Sequence, residues 1–369
     1  MTEFNPPLHG SYDSDDVTFL MTPITLGSID VGEKERRIQS GTFHYSEMLS
    51  PESAPNADYM EVYVEALAKN GRKLAGHVNL LADNIMRKGW ASGTEERPTA
   101  IISLARAGTP IGILITRALR RRGAAVEHYS ISIIRGRGID LNALRHIMKR
   151  HDAIVFVDGW TGKGAIAQEL RGPAGPMALG IEPRLVVVAD PAGVADLAAT
   201  GEDYVIPSGI LNGIVSGLIS RSVLNHQIEP HAFHGCVMLS HLQAHDVSRA
   251  FLETIDRHAV ACASPLPAAG GEGVTELLKT DLSRDCKAIL AFVQEHYGVA
   301  DTNRIKPGIA EATRAVLSRV PERLLVCDQN DPAVRHLVLL ARHKAVNIER
   351  LPALSNYRAI AIIAEMGDG

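Results

Sequence analysis

The chain has 369 residues, 46% of them hydrophobic and 22% charged, which is typical of a globular protein of two or three domains and excludes a disordered one. The formal net charge of -4 excludes a global basic field that would attract nucleic acid, although a local basic patch stays open. Its four cysteines show no C-x-x-C spacing, so neither a zinc site nor a redox pair is predicted. Few cysteines, no signal peptide and no apolar run of spanning length lead us to expect a cytoplasmic protein with no membrane partner.

The N-terminal part of the chain predicts an arm followed by helices. Residues 1–16 are polar and rich in proline, glycine and aspartate, so we expect a flexible arm. Residues 19–89 are mostly helical in pattern. The clearest helix spans 66–86, where apolar residues recur at helical spacing: Leu67, Leu74, Val78, Leu81 and Ile85.

From Ala100 the chain alternates between apolar strands and helices. Strands are predicted at Ala100–Leu104, Val126–Ile134, Ala153–Val157 and Leu185–Ala189. Helices are predicted at Ile111–Arg122, Leu141–Arg150, Ala165–Leu170 and Val194–Ala199. Such an alternation predicts a parallel sheet covered on both faces, with its ligand beyond the carboxyl ends of the strands.

A smaller unit is predicted at the C-terminal end. Residues 259–273 are small and rich in proline and glycine, which indicates a linker after a larger domain at 17–258. In residues 274–369 we expect a helix to about His296 and then a compact α/β unit. Its elements are predicted at Ile309–Arg319 (helix), Leu324–Cys327 (strand), Ala333–His343 (helix), Val346–Glu349 (strand) and Ala359–Ile363 (strand).

Two loops follow strands of the predicted parallel sheet. The first joins a buried strand to a helix that has Pro110 near its first position, and its Arg106 is a cation suited to a diphosphate. The second follows Asp158, and its N–H groups, with the start of the next helix, can form an anion site. The alternatives are a surface arginine at an ordinary turn and a capped strand-to-helix turn. The second loop consists of Thr161, Gly162, Lys163 and Gly164.

Together the loops resemble the core of the type I phosphoribosyltransferases, through the order strand, R-A-G-x-P, helix, strand, basic loop, helix, strand, D-x-x-T-G-x-G. The resemblance implies that Asp158, next to Gly159, contacts ribose hydroxyls and that Thr161–Gly164 holds the 5-phosphate. Such enzymes carry two adjacent acids where this chain has one acid and a glycine. The diphosphate of phosphoribosyl pyrophosphate would face the residues Arg106, Ala107, Gly108 and Thr109.

The resemblance also implies a closing loop and a hood for the nucleophile. Arg135, Arg137 and Asp140 lie in a glycine-interleaved loop, and with Asp158 they would act in catalysis; the alternative is a solvated loop. The hood would be formed by polar segments; the alternative is that these segments are capped turns with satisfied polar groups. Its candidate residues are His44, Tyr45, Ser46, Glu47, Pro207, Ser208, Gly209 and Arg221.

Longer motifs resemble a narrower family, the phosphoribosyltransferase-like proteins of bacterial tellurium-resistance gene clusters, some of which are labelled "cysteine protease StiP". These motifs are K-E-R-R-I-Q-S-G-T-F-H-Y-S-E-M-L, H-Y-S-I-S-I-I-R-G-R-G-I-D, V-D-G-W-T-G-K-G and I-P-S-G-I-L-N. The stretch K-P-G-I-A-E-A-T-R resembles the signature of the L7Ae/Pelota RNA-binding fold, with Ala310 in place of its asparagine. That resemblance implies RNA contacts at Gly308, Glu311 and Arg314; the alternative is a retained fold that binds something else.

The expected reaction is transfer of ribose 5-phosphate from phosphoribosyl pyrophosphate to an unidentified nitrogen nucleophile. Mg²⁺ is expected on the diphosphate, with no direct protein ligand predicted. A first alternative is a sensor of a phosphoribosyl compound that also binds structured RNA. A remote alternative is a cysteine protease, for which His234-Gly235-Cys236 is the close histidine–cysteine pair. Homo-oligomerisation is left open.

Overall fold

The computed structural model describes residues 7–262 and 273–366. The N-terminal two thirds of the chain forms a parallel sheet in the order β1-β4-β3-β6-β7-β8, with β5 antiparallel beside β4 and β2 paired with β9 separately. This confirms the predicted α/β class. The strands are β1 (Thr18–Leu20), β2 (Thr22–Pro23), β3 (Thr99–Ala105), β4 (Val126–Ile134), β5 (Gly138–Ile139), β6 (Ile154–Trp160), β7 (Leu185–Ala189), β8 (Leu197–Thr200) and β9 (Gly235–Cys236).

Helices cover both faces of this sheet because its strands are apolar on both sides. Ile101 of β3 lies in the core formed with α2, α3 and α6, whereas its neighbour Ile102 lies in the opposite core with α4 and α5. The helices are α1 (Val31–Gln39), α2 (Ala57–Arg87), α3 (Thr109–Arg121), α4 (Leu141–Met148), α5 (Ala165–Arg171) and α6 (Ser248–Ala261).

The C-terminal unit has a mixed sheet in the order β10-β13-β11-β12, in which only the β11–β12 pair is parallel. It is docked on the larger unit: α9 packs against α2, and side chains such as Ile210 and Ala312 belong to one continuous core. Its elements are α7 (Glu276–Tyr297), β10 (Ile305–Pro307), α8 (Ile309–Ser318), β11 (Pro321–Val326), α9 (Arg335–His343), β12 (Asn347–Arg350) and β13 (Ala359–Ile363).

The predicted helix Val194–Ala199 is wrong, because Leu197–Thr200 forms strand β8 beside β7. Alanine favours helices, which explains the prediction. The Asp190 carboxylate accepts the N–H groups of Val194 (3.1 Å) and Ala195 (2.8 Å), and this turn directs the chain back along the sheet. Burial beside β7 outweighs the propensity of so short a segment.

The predicted ends of the larger domain also change. Strands β1 and β2 replace the start of the helical region expected from residue 19. The described part of the expected arm is packed, since Tyr12 is 3% exposed and its hydroxyl donates to the Val215 carbonyl at 2.9 Å. Helix α6 includes residues 259–261, which were expected in the linker. The remaining linker residues 263–272 and arm residues 1–6 lie outside the described residues. Within 7–262 and 273–366, no helix combines the length and the apolar composition needed to cross a membrane.

Candidate functional site

The two predicted loops meet at the carboxyl ends of the adjacent strands β3 and β6. At this point the strand order reverses. Strand β4 lies on one side of β3, whereas β6, followed by β7, lies on the other side of β3. In open parallel sheets such a reversal leaves a crevice where ligands bind. Here both loops line a cavity of about 300 Å³.

The first loop places Arg106 at the cavity, where its guanidinium is already paired with a carboxylate of this chain. Its guanidinium lies 2.5 Å from the Glu52 carboxylate and donates to the Ile219 carbonyl at 2.9 Å. Gly108 serves packing, since a Cβ there would lie 2.5 Å from the Val157 carbonyl oxygen. The Thr109 hydroxyl is buried against Ser130 at 2.8 Å rather than turned to the cavity, whereas Ala107 lines it. Glu52 is far from Arg106 in the sequence, and no motif around it predicted that it would pair with this arginine.

The second loop begins at Asp158, which is 9% exposed and accepts the Gly159 N–H at 2.8 Å. Burial raises the pKa of Asp158 to about 7. The Thr161 hydroxyl donates to the Asp190 carboxylate at 2.6 Å, and this hydrogen bond attaches the loop to the end of β7. The Thr161 N–H donates to the Ala189 carbonyl at 2.9 Å, and Gly162, Lys163 and Gly164 line the cavity after it.

The C-terminal unit covers the second loop. The Lys163 ammonium donates to the carbonyls of Thr302 and Ile305, and burial lowers its pKa to about 8. The Gly162 carbonyl accepts the Tyr357 hydroxyl at 2.7 Å. A Cβ at position 162 would lie only 2.5 Å from Cγ of Glu311, so glycine allows this close contact.

The residues predicted to contact RNA face the larger unit instead of solvent. Glu311 and Arg314 line the cavity, and the Arg314 guanidinium lies over the Trp160 ring at 4.9 Å. Gly308, at φ +89°, precedes α8, and the Ile309 N–H donates to both Asp203 carboxylate oxygens at 3.0 and 3.1 Å. A residue of the larger unit therefore caps the helix that carries the Pelota-like signature.

Asp203→Ala should loosen the contact between the units. The substitution removes the cap of α8 and leaves the buried N–H of Ile309 and the partly buried N–H of Arg358 without this acceptor, for an expected loss of about 2 kcal/mol in the free energy of unfolding. Urea unfolding and limited proteolysis would measure it. Glu202→Ala is the neighbouring control, because its exposed ion pairs with Lys73 and Arg358 should together contribute at most about 1 kcal/mol. Equal losses in both variants would contradict the role of Asp203.

Cations dominate the walls of the cavity, whereas its carboxylates are those of Asp158 and Glu311. Lys34 and Lys306 are 3% and 8% exposed, and burial lowers the pKa of each to about 7. Convergent cations beside a glycine-containing loop favour an anionic ligand. Within the described residues, the cations that line the cavity are Lys34, Arg106, Arg135, Lys163, Arg221, Lys306, Arg314 and Arg319.

The predicted closing loop is divided between two roles. Arg135 lines the cavity, and its backbone N–H donates to the Tyr45 hydroxyl oxygen at 2.8 Å. Arg137 instead pairs with Glu47 and donates to the Leu224 carbonyl at 2.8 Å. These contacts attach the loop to the segment that contains Tyr45 and Glu47.

Asp140 stabilises the fold beneath this loop instead of facing the cavity. Its carboxylate is 1% exposed and caps α4 by accepting the N–H groups of Asn142 and Ala143. Its other oxygen accepts the His234 N–H at 2.6 Å. A carboxylate with these partners is suited to positioning the chain and not to contacting a substrate.

The predicted hood also divides. Tyr45 and Arg221 line the cavity with Arg221 over the Tyr45 ring, while His44 and Ser46 hydrogen-bond each other behind it at 2.8 Å. The Glu47 carboxylate forms an ion pair with Arg137. The turn Pro207–Gly209 packs under α8 beside the Trp160 ring, and the Ser208 hydroxyl there is buried without a hydrogen-bond partner in the described structure.

Lys34, Lys306 and Arg319 are site residues that the sequence analysis did not identify. Lys34 begins the K-E-R-R motif and Lys306 begins K-P-G, so both stood inside motifs that had been noted. Their neighbours were assigned to a hood or to RNA, and their convergence on one cavity depends on docking of the two units. Among the described residues, no three histidine, cysteine, aspartate or glutamate side chains cluster as they would around a metal ion.

The fold and the site define an α/β protein with a cation-lined cavity at the carboxyl edge of a parallel sheet, covered by a second α/β domain. The chain belongs to the family described as "Tellurite-like stress resistance cysteine protease StiP", which matches residues 10–256. The "PELOTA RNA binding domain" matches residues 285–365. These matches confirm the family and the C-terminal domain predicted from the motifs.

A relative from Acinetobacter baylyi, named "Cysteine protease StiP", is 39% identical over 379 residues, which cover 98% of this chain and 95% of the relative. Solved structures with a similar part include the HGPRT-ase of Leishmania tarentolae in complex with GMP, at 16% identity, a TM-score of 0.28, and 34% and 72% coverage of the two chains. Another is the hypoxanthine phosphoribosyltransferase of Trypanosoma cruzi with the product IMP, at 13% identity, a TM-score of 0.28, and 48% and 93% coverage.

Proposed function

We propose that this protein is an enzyme that binds phosphoribosyl pyrophosphate in the cation-lined cavity and transfers its ribose 5-phosphate to a nitrogen nucleophile. The observation that carries the proposal is the placement of a buried carboxylate, Asp158, directly before the loop Thr161–Gly164 within one cavity of convergent cations. A sugar phosphate presents both hydroxyls, which a carboxylate accepts from, and a dianion, which cations bind.

Each part of the ligand has a complementary group. The Asp158 carboxylate would accept hydrogen bonds from the ribose hydroxyls, and the backbone N–H groups of the following loop would bind the 5-phosphate. Arg135 lines the cavity and would bind the diphosphate, while the Glu52-paired Arg106 would orient it. Cations held in place before the reaction stabilise the departing diphosphate, and the covering domain excludes water from a cation-like sugar.

A magnesium ion fits this cavity as a companion of the diphosphate. Mg²⁺ keeps several waters when phosphates bind it, so the Asp158 and Glu311 carboxylates at the cavity would accept hydrogen bonds from those waters and no direct protein ligand is needed. When bound, it would neutralise charge on the leaving diphosphate. The chain's own residues would orient the sugar and hold both phosphate groups.

A second candidate function is a sensor of a phosphoribosyl compound that signals through its Pelota domain. The pairing of Arg106 with Glu52 favours it, because this cation is already neutralised. The single acid at Asp158 also fits a site that binds without turnover. Structured RNA would then be the partner of the C-terminal domain, after its signature residues leave the cavity.

Protease activity, suggested by the name of the Acinetobacter relative, has little support from the cysteines. Cys236 is fully buried, and burial raises the pKa of its thiol to about 12. The His234 ring bonds the Ser132 hydroxyl at 2.7 Å. In the described structure no hydrogen bond joins a cysteine sulfur to a histidine ring. A thiolate nucleophile needs the opposite environment.

The test is incubation of the full chain with phosphoribosyl pyrophosphate, Mg²⁺ and a metabolite extract, followed by pyrophosphate detection and mass spectrometry of new phosphoribosyl adducts. We expect pyrophosphate release by the wild type and by Cys236→Ala alike. Tight binding without release would favour the sensor. Cleavage of a denatured protein substrate that is lost in Cys236→Ala would favour the protease and contradict the proposal.

A further inference from the structure

Lys306 is a buried ammonium group in the wall of the cavity. It lies on β10, where it pairs in register with Ala361 of β13, and it is only 8% exposed. Within the described chain its ammonium makes no hydrogen bond, and its charged neighbours Arg135 and Lys163 are also cations. Glu311 is the nearby carboxylate. Arg319 is a further cation beside it. Burying a cation that makes no hydrogen bond, with several cations and the Glu311 carboxylate around it, is costly, so this position is suited to an anion that is supplied by a ligand.

Arg314, on α8, is a second cation in the wall of the cavity with an unsatisfied donor. Its guanidinium lies over the Trp160 ring at 4.9 Å, and its Nε is buried without a hydrogen-bond partner in the described structure. Asp158 and Glu311 face it electrostatically. Stacking on an aromatic ring fixes the plane of a guanidinium and leaves its N–H edge for an anion.

Both side chains are held relative to the phosphate loop by direct contacts between the units. Asp203 of the larger unit caps α8, and the Tyr357 hydroxyl donates to the Gly162 carbonyl. Lys306 and Arg314 therefore stand on either side of a segment that is anchored to the larger unit. Their positions next to the loop therefore depend on the docking of the two units.

We propose that Lys306 and Arg314, which belong to the Pelota domain, are ligand-binding residues of the cavity. Lys306 binds a phosphate group at the loop Thr161–Gly164, and Arg314 binds an anionic group beside Asp158. The ligand class, a ribose that carries a phosphate and a diphosphate, rests on the function proposed above. The site is complete only when the two units are docked, so the ligand stabilises the docked arrangement.

The test is titration calorimetry of full-length Lys306→Met and Arg314→Gln with two probes, inorganic pyrophosphate and phosphoribosyl pyrophosphate with Mg²⁺. We expect at least about a tenfold weaker Kd for each variant with phosphoribosyl pyrophosphate, the loss typical of a charge-assisted contact. Lys344→Met and Arg335→Gln are the matched controls. Lys344 donates to the Leu317 carbonyl and Arg335 pairs with Glu65, both outside the cavity, so their Kd should stay within about twofold of wild type.

The outcomes separate this inference from the proposed function. Wild-type affinity in the folded variants, with pyrophosphate release intact, overturns the inference alone. Binding of pyrophosphate that weakens in Lys306→Met, without turnover of phosphoribosyl pyrophosphate, supports the inference and overturns the transferase. Failure of the wild type to bind either probe overturns both. If Arg314→Gln does not fold, Arg314→Lys tests the same contact, and a wild-type Kd for it would contradict a role of the planar guanidinium.

Discussion

Gly162→Val should reduce the affinity for phosphoribosyl pyrophosphate by about 10- to 100-fold, the equivalent of an overpacking cost of about 1–3 kcal/mol. A Cβ at this position would lie 2.5 Å from Cγ of Glu311 and 3.4 Å from the Pro307 carbonyl oxygen. A β-branched side chain adds two methyl groups at the place where a phosphate would meet the loop. The substitution would therefore both fill the cavity and push α8 away. Titration calorimetry would measure the affinity, and limited proteolysis would measure undocking.

Two further variants identify the cause of this loss. Gly27→Val is the control, because a Cβ at Gly27 meets nothing within 4 Å. Adding Glu311→Ala to Gly162→Val should restore part of the docking if the clash with Glu311 is responsible, as a double-mutant cycle would show. Wild-type affinity in a folded Gly162→Val protein would mean that the ligand binds elsewhere.

Asp158→Asn should weaken binding of phosphoribosyl pyrophosphate by about 10- to 100-fold, because hydrogen bonds to a charged group contribute about 1.5–3 kcal/mol. The same substitution should increase the free energy of unfolding at neutral pH, because it removes a buried charge. The folded-state pKa of Asp158, raised to about 7 by burial, lies above its unfolded value near 3.8. The stabilising proton is therefore fully bound below about pH 4 and is lost as the pH rises to about 7.

The free energy of unfolding of the variant should consequently rise relative to wild type between pH 4 and pH 7, by at most about 1.4 kcal/mol for each pH unit, and should level off above pH 7. Urea unfolding at pH 5, 6, 7 and 8 would measure this difference. Asp152→Asn is the control, since its hydrogen bond with Arg97 lowers the pKa of that exposed carboxyl and its effect should be constant over this range. A pH-independent difference for Asp158→Asn would contradict the buried charge.

The buried charged groups of Asp158 and Lys306 imply a trade-off between stability and binding at this site. Wild-type Asp158 carries a charge that burial disfavours, and Lys306 is a buried cation with a lowered pKa. Functional sites commonly hold such groups because a ligand supplies the missing partner. Removal of either group should therefore cost binding more than it costs folding.

The sequence by itself determined the parallel sheet, its helices and the two loops at its carboxyl edge. Apolar runs such as Val126–Ile134 and Leu185–Ala189 carry their own burial signal, and the glycine loop after Asp158 is recognised locally. The Pelota match likewise followed from a short contiguous signature. Such features depend on neighbours along the chain, which periodicity and loop composition report directly.

Only the tertiary structure decided which side chains face the cavity and which are already paired. Glu52 neutralises Arg106, Asp190 takes the Thr161 hydroxyl, and docking of the C-terminal domain turns Arg314 from a predicted RNA contact toward Asp158. The short segment Leu197–Thr200 became a strand for the same reason. These outcomes depend on contacts between residues far apart in the chain, where burial and pairing outweigh local propensity.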